Sequence, residues 1–174
     1  MTNADLTKTA SDKFYHYLQK HKNEMREQSL EGYYHADVVA DAYKQGFSDG
    51  KKSRDRDIIS KIVSKEIERF AQKSTQIYIL SNRIIAFLCD HNFRINALFI
   101  SIDFKRPRVL LSVPENLLLN DEFVNLAYNK ISEIREIYLK LFDEYLDIGL
   151  VSSLNLEVSL LQEDGFGYQQ IFDE

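Results

Sequence analysis

Residues 94–114 read RINALFISIDFKRPRVLLSVP, and within them the repeat of apolar residues changes from every third or fourth position to every second. Leu98, Ile100, Ile102 and Phe104 point one way and Phe99, Ser101 and Asp103 the other, which describes a half-buried strand. Lys105-Arg106-Pro107 makes a turn, Val109, Leu111 and Val113 restart the alternation, and Pro114 closes it. The stretch is therefore predicted to be an antiparallel hairpin.

Toward the C-terminus, Asn120 or Asp121 caps a predicted helix over residues 121–147. Its apolar stripe is Phe123, Ala127, Ile131, Ile134, Ile137, Leu141 and Tyr145, and Gly149 is placed to end it. Leu154, Leu156, Val158 and Leu160 then alternate with Asn155, Glu157 and Ser159, predicting a third strand. Gln162-Glu163-Asp164-Gly165 reads as a turn, and Phe166 to Phe172 as a fourth strand, whose ending in Asp173-Glu174 is expected to discourage further edge pairing.

Toward the N-terminus the pattern is helical. After ten polar residues expected to fray, Ser11 or Asp12 is placed to cap a helix running to about Gln28, with Gly32 beyond it. A second helix is expected from about His35 to Gly50, and the basic run Lys51–Arg56 as a turn. From Asp57 to about Asp90, Val63, Ile67, Phe70, Ser74, Ile77, Ser81, Ile84 and Leu88 recur at spacings of four and three, as a helical seam would. Ser74-Thr75 offers an alternative, a break between two antiparallel helices.

These elements predict an α+β fold. Residues 1–56 form an N-terminal helical extension, and residues 57–174 form an α+β domain. That domain is expected to hold an antiparallel four-stranded sheet, in the order strand-strand-helix-strand-strand, covered on one face by helices.

A chain of 174 residues with 44% hydrophobic and 28% charged residues can fold around its own core without a metal or disulfide. The single cysteine, Cys89, makes no internal disulfide, and no charged segment followed by an apolar run opens the chain. A reducing, cytoplasmic setting is the expectation. No apolar run reaches the length of a membrane span. The net charge of −5 is unevenly spread: residues 1–119 hold 19 Lys/Arg against 15 Asp/Glu, and residues 120–174 hold 3 against 12. From Gly149 onward there is no Lys or Arg, so one copy's acidic tail can attract another copy's basic front.

Catalytic patterns are weak throughout. Cys89 and His91 diverge by roughly 200° on a helix, which fits a small buried hydrophobe better than a nucleophile and its base. His16 and His21 miss the i, i+4 spacing of a helical metal pair, and His35 with Asp37 lacks a third ligand. Gly165-Phe166-Gly167 suits a hairpin turn, with no third glycine or following helix to hold a phosphate. Glu136 and Lys140 sit at i, i+4 as an ion-paired solvent face.

No catalytic residue, metal site or cofactor is assigned. The sequence instead points to a non-catalytic protein-binding or assembly module, with a protein partner or a second copy of itself, as a homodimer joined through the helical seam. Val63, Ile67, Phe70 and Ile77 are the candidate residues for that helical interface. Phe166, Tyr168, Phe172, Asp173 and Glu174 are the candidates for contact with a partner's basic-rimmed groove. The alternative is a nucleic-acid-associated accessory protein or metal-dependent nuclease. It would use Asp103 and Lys105 at a strand end, the basic clusters Lys51/Lys52/Arg54/Arg56 and Lys105/Arg106/Arg108, and Tyr33, Tyr34 and Tyr43 as stacking aromatics.

Overall fold

The computed structural model describes residues 3–30, 52–102 and 106–172. The helix expected at 35–50, the acid and lysine at Asp103 and Lys105, and Asp173 and Glu174 lie outside the described residues. The chain divides into two compact units, Met1–Gln72 and Lys73–Glu174.

In the first unit, helix α1 spans Asn3–Leu30. It starts well before the expected cap, so Ser11 and Asp12 are exposed residues inside it. Ala10, Phe14 and Leu18 are buried, one helical turn apart, and form its apolar stripe. Helix α2, Lys52–Asp90, begins in this unit and supplies part of the second. With no glycine or proline anywhere in it, α2 runs unbroken through Ser74-Thr75, and residues 52–56 are helical instead of forming a turn. The seam serines are buried, and Ser81 Oγ donates to the Ile77 carbonyl at 2.7 Å. A serine back-bonded to its own helix leaves no unsatisfied hydroxyl in an apolar face. Asn92, at φ 63°, ends the helix region, and the Phe93 amide returns to the Leu88 carbonyl at 3.0 Å.

The second unit is built on a four-stranded sheet. Strands β1, Ala97–Ser101, and β2, Arg108–Val113, form the expected antiparallel hairpin, pairing Ala97 with Ser112 and Ser101 with Arg108. The short helix α3, Glu115–Leu118, leads into α4, Asp121–Phe142. The Asn120 side chain caps α4 by accepting from the Phe123 amide at 3.1 Å. Asp121 and Glu122 at its start and Lys140 near its end complement the helix dipole.

The next segment corrects the expected topology. Helix α4 stops at Phe142, where Asp143 takes a left-handed conformation at φ 55° and bonds back to the Leu139 carbonyl. Tyr145, expected on the buried stripe, is 83% exposed. Gly149 does not end a helix; it lies in strand β3, Asp147–Ser152. Strand β3 runs parallel to β2, and α4 is the crossover that such a pair requires. The sheet is therefore mixed, in the order β3-β2-β1-β4, and not purely antiparallel.

The strand expected at 154–160 does not form. Asn155 turns left-handed at φ 58°, and Val158–Glu163 coils into helix α5. Val158 and Leu161, three positions apart, share the face that packs on the core, whereas Leu154 and Leu160 are exposed. Gly165 ends this segment at φ 90°, a conformation natural to glycine. Strand β4, Tyr168–Ile171, then pairs with β1, antiparallel. The expected fourth strand exists, but its neighbour is the first strand and not the third.

Strand β1 is buried along its whole length, where a half-buried strand was expected. Ala97 and Phe99 face a cluster made with Phe166, Leu110, Leu156, Val158 and Leu161. Leu98 and Ile100 face the other way and are equally buried. On that second side Tyr78 of α2 meets Tyr168 edge to face at 5.9 Å, and the Phe123 ring of α4 meets Phe93 at 5.1 Å. Helical segments thus cover both faces of the sheet, not one.

Candidate interaction surfaces

With both faces covered, the sheet meets its surroundings at its edges. Strands β4 and β3 are those edges among the described residues. A strand's backbone groups alternate in direction, so one bond toward the neighbouring strand assigns all the rest. The Phe172 amide donates inward to the Asn96 carbonyl at 2.9 Å. Tyr168 and Gln170 therefore bond inward to β1, while the backbone N–H and C=O of Gln169 and Ile171 point out from the sheet.

Strand β4 carries no charge and no proline, two of the devices that guard an edge, though at four residues it is short. The Ile171 side chain is 64% exposed, and those of Gln169 and Gln170 are half-buried. The strand is firmly held from its inner side. Tyr168 is buried against Tyr78, and burial first, then the neighbouring Tyr78, raises its phenol above the usual tyrosine range. The Tyr168 hydroxyl donates to Gln170 Oε1 at 3.3 Å. The approach to β4 is held as well. The Arg108 guanidinium lies 4.8 Å over the Phe166 ring and donates to the Asp164 carbonyl.

The opposite edge is treated differently. The Asp147 and Ser153 amides donate inward to the Pro107 and Val113 carbonyls, so Ile148, Leu150 and Ser152 present their backbone outward. Arg135 of α4 reaches over this edge and donates to the Ile148 carbonyl at 2.7 Å and to Asp147 Oδ1 at 3.3 Å. A cation fixed on the edge occupies an acceptor that an incoming strand would need.

Ile67, Phe70 and Ile77 of the helical seam are 2%, 6% and 1% exposed in a single chain, and Val63 is half-buried. Phe166 and Tyr168 are buried, and Phe172 is half-buried. The two residues whose backbone faces outward from β4, Gln169 and Ile171, were not singled out from the sequence. Their only signal is their odd parity in the Phe166–Phe172 alternation, which acquires meaning once the pairing with β1 is known.

The remaining candidates stay apart. Cys89 is exposed, not buried, and partial burial with Asp90 beside it raises its thiol above the usual range. His91 Nδ1 lies 2.8 Å from the Phe87 carbonyl, and His21 Nδ1 lies 3.5 Å from Glu24 Oε2. Glu136 and Lys140 approach to 4.0 Å on the exposed side of α4. Among the described residues no three His, Cys, Asp or Glu side chains come together to hold a metal ion, and no helix is long and apolar enough to cross a membrane. No family model, no curated protein and no solved structure matches this chain.

Proposed function

We propose that the chain is a protein-binding or assembly module without chemistry of its own, and that it engages its partner by strand addition at β4. One observation carries the reading: the outward backbone groups of Gln169 and Ile171 lie on a neutral edge strand whose inner side is held in place. An added strand gains main-chain hydrogen bonds without asking the host to rearrange, and the alternate side chains of the edge supply selectivity. Gln169 and Ile171 project toward the α5 side of the sheet and Gln170 toward the α2 side, so an added strand is read on both faces.

A photo-cross-linking residue placed at Gln169 tests this. In native extract it should give a protein adduct that the same residue at exposed Ser132 of α4 does not. Gln169→Pro, which removes one outward N–H and no bond to β1, should abolish binding of the captured protein while the circular dichroism spectrum stays unchanged. Equal adducts at Gln169 and Ser132, or binding indifferent to the proline, would defeat the reading.

A further inference from the structure

We infer that the strand added at β4 is the β4 of a second copy, paired antiparallel about a two-fold axis at Gln170, so that two sheets become one. This rests on the strand-addition reading above and names its partner.

The outward pattern of β4 is self-complementary. With Gln170 opposite Gln170, the outward groups of Gln169 meet those of Ile171 in the other copy, and the reverse, so every outward backbone group of β4 is satisfied. A register shifted toward Gly167 would need that residue's amide, which already donates to the Gly165 carbonyl at 3.0 Å. On the α2 side the chosen register sets Phe172 of one copy beside Tyr168 of the other, a favourable aromatic cross-strand pair. On the α5 side it sets exposed Ile171 against Gln169.

Charge does not oppose this arrangement. Strand β4 itself brings no charge to oppose its copy, so like charges do not meet at the axis. The edge at β3 cannot serve equally, because Arg135 occupies the Ile148 carbonyl there and two such cations would face each other across a two-fold contact.

The experiment is sedimentation of the purified chain over about 1–100 μM, combined with oxidation of Gln170→Cys in a Cys89→Ser background. A non-hydrogen-bonded antiparallel pair places opposing Cβ atoms near disulfide distance, so Gln170→Cys should cross-link to a dimer. Ile171→Cys, off the axis, should do so at least about tenfold more slowly. Gln169→Pro should weaken association by about tenfold or more with the melting temperature of the monomer held. A monomer throughout, or equal cross-linking at 170 and 171, overturns the self-pairing. If that happens while Gln169→Pro still abolishes capture of a different protein, strand addition stands with another partner. If the proline changes neither, both readings fall together.

Discussion

The two edges of this sheet present the same kind of backbone and treat it in opposite ways. Strand β3 is joined to the sheet by a parallel pairing, follows directly on α4, and has an arginine from that helix on its outer carbonyl. Strand β4 arrives at the far end of the chain, pairs antiparallel with β1, and leaves neutral backbone facing outward. Edge strands invite pairing unless something prevents it. Among the described residues a cation guards one edge and no charged side chain guards the other, and this difference motivates the proposal that β4 is the binding edge.

The contrast can be broken most forcefully in the core. Ile148 on β3 is buried, whereas Ile171 on β4 is exposed, so Ile148→Ala should cost about 2–5 kcal/mol and Ile171→Ala less than about 0.5 kcal/mol. Urea unfolding measures both, and equal losses would contradict the assignment of β4 as the open side. A proline pair tests the direction of the backbone. Gln170→Pro removes an inward bond to β1 and should cost about 3 kcal/mol, well above the cost of Gln169→Pro, whose amide points outward.

Smaller effects sharpen the role of α4 at the β3 side. The Tyr138 hydroxyl is buried without a hydrogen-bond partner, and burial, with Glu144 nearby, pushes its phenol from 10.0 up to about 12. Tyr138→Phe should therefore gain about 1 kcal/mol at neutral pH by deleting an unsatisfied polar atom. In the unfolded chain this phenol ionises from about pH 10, while in the folded chain it holds its proton to about 12. Its contribution is intact below pH 10 and is lost as pH rises to 12. The variant should flatten that alkaline fall in part, since Tyr17 and Tyr168 are shifted in the same direction. Denaturant midpoints between pH 9 and 12 give the comparison.

The smallest change is at the guarded edge. Arg135→Gln should cost about 1 kcal/mol, the worth of one charge-assisted bond at a partly exposed site. Its more telling effect would be a concentration-dependent association through β3 that the parent chain does not show, measured by light scattering.

Much of the architecture is readable locally. The hairpin is legible because Leu98, Ile100, Val109, Leu111 and Val113 alternate within a short span around a proline-containing turn. The α4 stripe is legible because Phe123, Ala127, Ile131 and Ile134 recur at helical spacing, and all are buried. Residues 143–163 are misread for a physical reason. Ile148, Leu150 and Val151 form a run too short to separate from the helix before it, and their strand character comes from the parallel contact with β2. Residues 154–160 alternate, yet Val158 and Leu161 gain more by coiling onto the cluster around Phe99 than by extending. The candidate surface is the least legible part. Phe166 and Tyr168 attract notice as large aromatics, but they are spent on the interior, and the outward positions are a glutamine and an isoleucine of no special type.

By itself, then, the order of residues determined the alternation of the hairpin and the helical stripe of α4, which side chains are apolar, and that its acidic charge gathers toward the end. Those properties are periodic over a few residues and depend on side chains. Only the tertiary structure decided which strands become neighbours, which of them stands outermost, and which amides are left facing outward. Every residue but proline carries the same N–H and C=O, so the sequence bears no mark of which ones will be used until distant segments meet.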